Sequence, residues 1–204
     1  MTAEEFATLL ALATAMSFTP GPNTMLATAL GANFGMRRAL RFVVAVPAGW
    51  TLLMIACGLG LGALVVALPW LLSGVKWVGV AYLVWLAWQL AGARSVAPAT
   101  AGRLQVGFWQ GVGLQFVNIK AWMLALALAA GWVTTSAGRA AANPGERLAI
   151  VCAVMVVFAL TSNASYALAG SLLGRWLAVG RRLLGFNRTM AALLLATALW
   201  MASA

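Results

Sequence analysis

Six apolar runs, at about 6–33, 42–68, 70–92, 108–133, 148–172 and 189–203, follow one another with hardly a charge inside them. A spanning helix needs roughly 20 mostly apolar residues, and in hydrocarbon every backbone N–H and C=O must be satisfied within the segment or the protein. The chain is therefore expected to be an all-α integral membrane protein with six transmembrane helices. Of its 204 residues 64% are hydrophobic and 8% charged, against about 45–50% and 25% in a globular domain. Nothing is left over for a separate water-soluble domain, so residues 1–204 are expected to form one membrane domain in contact with the lipid bilayer. The first residues, MTAEEF, are acidic where a secretory signal is basic, so the first span is expected to be kept.

The connections, at 34–41, near Pro69, and at 93–107, 134–147 and 173–188, are too short to fold alone. Thirteen Lys and Arg against three acidic residues give +10, a balance that in a soluble chain would suggest nucleic acid. Here the basic residues gather at the ends of apolar runs. Arg37, Arg38, Arg41, Arg94, Arg103, Arg175, Arg181, Arg182 and Arg188 fall in alternate connections, and Lys76, Arg139 and Arg147 on the other side. The positive-inside rule makes the first set cytoplasmic and puts both termini outside. Trp70, Trp77 and Trp132 then mark the outer interface, and Trp109 and Trp176 the inner one.

An internal repeat is legible. The first span carries SFTPGPN at 17–23 and the fourth LQFVNIK at 114–120, each near mid-span and each opening its half of the chain. Three spans per unit insert the second copy upside down, and paired interruptions in matching helices point to a midplane binding site in secondary transporters. The expected arrangement is two inverted three-helix repeats, 1–92 and 108–204, with broken helices 1 and 4 and a cytoplasmic linker at 93–107.

The residues that could carry chemistry gather at these interruptions. Pro20 and Pro22 remove N–H donors from the carbonyls of Met16 and Phe18, and Gly21 tolerates the dihedrals of a break. Asn23 and Thr24 can cap the onward half-helix, whose N-terminus favours an anion. Lys120 lies roughly 18 Å deep at ~1.5 Å per residue, near the centre of the hydrocarbon. An intramembrane cation faces the bundle interior and is functional by default. Glu4, Glu5 and Glu146 are terminal or in a connection, so Lys120 is left with backbone carbonyls or a carboxylate that arrives with a ligand. Gln115 and Asn118 on the same span, with Thr161, Ser162, Asn163, Ser165 and Tyr166 on the fifth, add short hydrogen-bonding groups suited to a polar zwitterion. Lys76 is expected to snorkel, and Gly58, Gly60, Gly62, Gly170 and Gly174 to allow close helix packing.

The chain contains no His and only two Cys, Cys57 and Cys152, without a CxxC. No metal site, cofactor or acid–base pair is expected, which argues against an enzyme. A different class, a membrane thiol-redox conduit, would need both cysteines at the breaks. A passive packing subunit is a third class, set against the expense of a midplane Lys.

The segments FTPGPNTMLATALGANFG, VKWVGVAYLVWLAWQL and LQFVNIKAW resemble the lysine exporter (LysE) superfamily of small six-span amino-acid exporters, over nearly the full length. QFVNIK, SNASYALAG and FNRTMAALLL look most like its cysteine/O-acetylserine exporter branch, although many members have Asn-Pro-Lys-Ala where this chain has Asn118-Ile119-Lys120-Ala121. The resemblance implies efflux of small neutral amino acids or derivatives across the bacterial cytoplasmic membrane, driven by protons, with substrate between the inverted halves. Pro20, Gly21, Pro22, Asn118 and Lys120 match its motifs. The acidic residues that some members carry in the spans are missing, so Lys120 itself is the expected carboxylate ligand and proton exchanger. Asn23 is expected at the same carboxylate, and Gln115, Asn118, Asn163 and Tyr166 at the amino group or side chain. Other small polar metabolites or ions, and a homo-oligomer, stay open.

Overall fold

The computed structural model describes residues 1–93, 106–136, 138–179 and 181–203. Most of the expected linker at 93–107, with Arg94 and Arg103, lies outside the described residues. Nine α-helices carry the described chain: α1 (Ala3–Phe18), α2 (Pro22–Phe34), α3 (Met36–Ala56), α4 (Gly62–Ala67), α5 (Pro69–Ala91), α6 (Phe108–Val117), α7 (Ile119–Leu128), α8 (Pro144–Leu177) and α9 (Arg182–Ser203). Wider π turns at Cys57–Leu61 and Ala129–Thr134 extend α3 into α4 and lengthen α7. A two-residue antiparallel hairpin, β1 (Thr135–Ser136) and β2 (Arg139–Ala140), pairs Thr135 with Ala140.

Met36–Ala67, Pro69–Ala91, Pro144–Leu177 and Arg182–Ser203 are each long and apolar enough to cross a bilayer. Phe108–Val117 with Ile119–Thr134 makes a fifth if counted as one span, bent by 67°. The chain is an all-α, multi-pass membrane protein. Pro22, Pro69 and Pro144 each open a helix, where a missing N–H costs nothing and the fixed φ suits the first turn.

The joints differ from the expected connections. The stretch 34–41 is reduced to Gly35, whose φ of 76° turns α2 into α3, and Arg37, Arg38 and Arg41 already belong to the helix. The last connection shrinks likewise, since α8 runs to Leu177 and α9 begins at Arg182. Gly60 does not serve close packing: a Cβ there would meet nothing, and its φ of 116° makes the kink in the second run. Gly58 and Gly62 do touch neighbours, the side chains of Leu148 and Leu126.

Helix directions follow from the contacts. Gly170 lies against Thr28 and Gly174 against Ala32, so α2 and α8 run parallel; Lys76 Nζ donates to Ala202 O and Asn187 Nδ2 to Ala93 O, so α5 and α9 are antiparallel. Lys76 thus caps α9 rather than merely snorkelling. Gly31 and Gly170 face the carbonyls of Ala167 and Thr28, and Gly49 and Gly111 bring α3 and α6 together. Such approaches exclude any Cβ and are how apolar helices associate where water gives no drive.

Two apolar clusters result. One gathers α2, α3, α5 and α9 around Leu26, Phe42, Leu86 and Leu194; the other packs α1, α3, α7 and α8 around Leu9, Trp50, Leu128 and Val151. Both cysteines are free and pack with the second, Cys57 buried and Cys152 half-buried. Leu59, Trp88, Trp109, Leu172 and Leu199 are among the large side chains pointing outward, an apolar exterior that suits lipid.

The two ends of the bundle are closed differently. At the basic end Asn33 and Asn187 exchange amide hydrogen bonds of 2.8 and 2.9 Å. At the hairpin end Arg147, 4% exposed, donates to both carboxylate oxygens of Glu5 at 3.0 and 3.2 Å and to the carbonyls of Trp132 and Thr135. Trp132 donates its indole N–H to Glu5 O at the same end. Glu5 and Glu146 sit in the first turns of α1 and α8.

Candidate functional site

Helix α1 stops because Pro20 and Pro22 supply no N–H, which strips Met16 O and Phe18 O of their helical donors. The freed carbonyls next to the break are met from elsewhere. Ser162 Oγ donates to Ser17 O at 2.6 Å, Tyr166 OH to Phe18 O at 3.0 Å, and Lys120 Nζ to Thr19 O at 3.1 Å. A Cβ on Gly21 would lie 3.5 Å from Lys120 Cδ and Nζ, so the lysine stem crosses the break over the glycine.

Helix α2 restarts at once. Thr24 Oγ1 accepts from Gly21 N at 3.0 Å and caps it. Asn23, expected to cap as well, is instead tied to α6: its Nδ2 donates to Gln115 Oε1 at 2.9 Å, and Gln115 Nε2 returns a bond to Asn23 Oδ1 at 3.1 Å. Gln115 also donates to Gly111 O and is fully buried. This reciprocal amide pair joins the two interrupted helices.

The second break is at Asn118, extended at φ −93°, ψ 104°. Its Oδ1 accepts from Lys120 N at 3.2 Å, which starts α7. Trp122 Nε1 donates to Phe116 O at 2.8 Å, and Gly79 of α5 lies directly on Val117 O. With α7 begun at Ile119, Lys120 stands in its first turn, where its charge adds to the positive end of the helix.

A cavity of about 70 Å³ opens between the breaks, lined among others by Met16, Thr19, Trp50, Lys120 and Asn163. That volume holds roughly five waters. A larger groove of about 570 Å³ lies between α2, α7 and α9, with Met25, Met123 and Trp200 on its walls. Thr19, Gly21, Asn118 and Lys120 border both spaces. Two half-helix N-termini and an ammonium converge on the cavity, and among the described residues no carboxylate lines it. The carbonyls that end α1 lie beside them, Thr19 O accepting from Lys120 Nζ. The two N-termini and the ammonium suit an anionic group.

Most of the residues expected from the sequence are together here. Pro20 borders the larger groove; Gly21, Pro22, Asn118 and Lys120 border both spaces, and Asn23 and Asn163 line the cavity. Gln115 and Tyr166 lie behind, each bonded to a residue of the first break. Asn163 donates to Ala159 O at 2.8 Å, and its buried Oδ1 has no partner. Sequence reasoning missed Trp50 and the targets of Ser162 and Tyr166. The i, i+4 spacing of Ser162 and Tyr166 puts both on one face and was the available signal; nothing singled out Trp50 among ten tryptophans. Neither cysteine lines either space, so the redox reading finds no support at the breaks. Among the described residues, no cluster of His, Cys, Asp or Glu could hold a metal ion.

Residues 14–204 match the profile of the family described as LysE type translocator. The chain is 34% identical over 179 residues to the cysteine/O-acetylserine efflux protein of Klebsiella pneumoniae subsp. pneumoniae, covering 87% of each. It is 32% identical over 170 residues to the protein of the same name from Escherichia coli O1:K1, covering 80% of each. A third of that name, from Salmonella typhimurium, is 38% identical over 104 residues, 51% of this chain and 53% of that protein. No solved structure matches the chain. A family match over more than nine-tenths of the length, with the two breaks and Lys120 inside it, makes the protein a transporter and not an enzyme: it belongs to the LysE-type translocators.

Proposed function

We propose that the protein exports small neutral amino acids or their derivatives, with cysteine and O-acetylserine first in line, by alternating access of two inverted halves. The carrying observation is Lys120: a cation between two helix breaks, bonded to a carbonyl, on the wall of a cavity without a carboxylate. The carboxylate it lacks comes with the solute. Lys120 Nζ and the N-terminus of α2 at Gly21, Pro22 and Asn23 receive that carboxylate, while Asn163 receives the ammonium. Gln115, Asn118 and Tyr166 act one step back, by holding the two breaks in register. Proton drive is assigned to Lys120, which exchanges a proton as solute binds and leaves.

The inverted repeat is supported by the pattern of packing. Exchanging the first, second and third runs for the fourth, fifth and sixth turns the contact of the first run (α1 and α2) with α8 into that of the fourth run (α6 and α7) with α3 and leaves α5–α9 and α3–α8 unchanged, and all of these pairs pack together. The basic ends of the helices, placed in the bacterial cytoplasm, put both termini outside. Proteoliposomes preloaded with labelled cysteine, O-acetylserine, homoserine or leucine test the reading, with and without a pH gradient. Efflux of the first two that disappears in Lys120→Ala is the expected result. Efflux that survives that substitution with its proton dependence intact would overturn the role of Lys120, and no efflux of any of the four would overturn amino-acid export.

A further inference from the structure

Two residues that line the cavity at the breaks each carry a buried polar atom unpartnered among the described residues. Trp50 is 5% exposed and Asn163 4%, and neither Trp50 Nε1 nor Asn163 Oδ1 has a hydrogen-bond partner among the described residues. Buried polar groups are nearly always paired, because an unmade bond away from water is costly, and inside a bilayer water is scarcer still. The unpartnered groups come from different helices, α3 and α8, and flank the cavity that Lys120 borders.

The position of Trp50 is imposed by its neighbours. Gly49 is pressed onto the backbone of Val112 in α6, where a Cβ would come within 2.6 Å of Val112 O. Ser, Ala or any larger residue there would drive α3 away, so the α3–α6 crossing fixes the rotation of α3. Val46 and Trp50, one turn apart, thereby line the cavity together with Leu124 and Met155. Asn163 is held by its own helix: its Nδ2 donates to Ala159 O, and its Oδ1 has no partner among the described residues.

We propose that Trp50 is a specificity-determining residue of the transport site, its indole N–H completing, with Lys120, the recognition of the solute carboxylate, while Asn163 Oδ1 accepts from the solute ammonium. This rests on the export reading above and adds to it a neutral donor that requires a carboxylate to be present, beside the neutral acceptor on Asn163 that requires an amine. A solute missing either group leaves one buried polar atom unpaired, which is the arrangement that gives strong rejection of an analogue lacking the group.

The test uses the full chain in proteoliposomes, with counterflow of cysteine, of cysteamine (no carboxylate) and of N-acetylcysteine (no free amine). Trp50→Phe keeps the ring and removes the donor; Trp50→His restores an N–H on a smaller ring. Trp50→Phe is expected to raise KM for cysteine roughly tenfold with kcat little changed, and to reduce discrimination against cysteamine by the same factor while leaving N-acetylcysteine excluded. Asn163→Leu is expected to relax the exclusion of N-acetylcysteine instead, and Trp50→His to recover part of the loss. Equal damage by Trp50→Phe and Trp50→His, carried by kcat, would mean that Trp50 only packs. Unchanged KM and discrimination in Trp50→Phe would overturn the proposal while native efflux continued. Failure of the native protein to move cysteine or O-acetylserine would instead overturn the export reading, and the role of Trp50 with it.

Discussion

At the first break the carbonyls of Ser17, Phe18 and Thr19 are taken by Ser162, Tyr166 and Lys120, all from helices far away in the chain, whereas at the second the partners are local, Asn118 itself and Trp122. The interruptions look alike in the sequence and are held in opposite ways. A joint closed by its own residues keeps its angle whatever the rest of the bundle does. A joint closed by distant side chains depends on where those helices stand, and on what else competes for their donors. A solute carboxylate that draws Lys120 away from Thr19 O would release α1 at its end, with the bend between α6 and α7 unchanged. On the export reading proposed above, that would make α1 the movable element and the second break the fixed reference.

The sharpest way to break this contrast is to disturb the fixed joint. A Cβ at Gly79 would fall on Val117 O, and backbone cannot move aside as a flexible side chain can. Gly79→Ala is expected to lower unfolding stability in detergent by about 3 kcal/mol, the upper part of the range for overpacking, with transport lost alongside. An unfolding midpoint equal to the native one would show that the second break yields, and the contrast would fail.

Lys120→Ala should separate function from stability. One hydrogen bond to a carbonyl is lost, but so is a cation far from water, so unfolding should change by no more than about 1 kcal/mol. Export should fall by about a hundredfold, the size of a lost charge-assisted bond. A stability loss as large as that of Gly79→Ala would recast Lys120 as a structural strut of the first break.

These expectations show how much could be read in advance. The six apolar runs, the two breaks and the meeting of Lys120 with them all follow from local rules, since Pro removes donors wherever it stands and a cation must face inward. The residues that answer the break could not be located that way. Asn23 was available as a cap by residue type, yet it is spent on Gln115, a partner 92 residues away. Arg147 counts in the sequence as one more terminal charge, and only the hairpin and the first turn of α1 turn it into a buried clamp on Glu5. Trp50 is brought to the cavity wall by the contact of its neighbour Gly49 with α6, and helix rotation of that kind is decided in three dimensions.

Smaller changes compare the joints directly. Tyr166→Phe and Ser162→Ala each remove one bond at the first break, and Asn118→Ala removes the cap at the second; each should cost about 1 kcal/mol. The size is alike and the solute dependence is not. Saturating cysteine should protect α1 from hydrogen exchange differently in native protein and in Tyr166→Phe, because solute and break share Lys120. In Asn118→Ala the change in exchange on adding cysteine should equal the native one. If both variants respond to solute alike, the first break is no more movable than the second.

The smallest effect concerns the hairpin end, where α1 is pinned at its start, away from the first break. Hydrogen bonds from Arg147, then from the Thr2 backbone and Ser136, hold the Glu5 carboxyl at about 2, below its ordinary 4.5. A lowered carboxylate contributes stability in full above its ordinary value and loses it as the pH falls through 4.5 toward 2. The clasp therefore stays charged at any pH of ordinary growth, and Glu5 is no carrier for a proton-driven cycle. Unfolding midpoints of native protein and Glu5→Gln should differ by a constant amount above about pH 5 and converge near pH 2. If the difference instead changes between pH 6 and 8, by the same measurement, the hairpin end of α1 titrates with the cycle and both ends of that helix move.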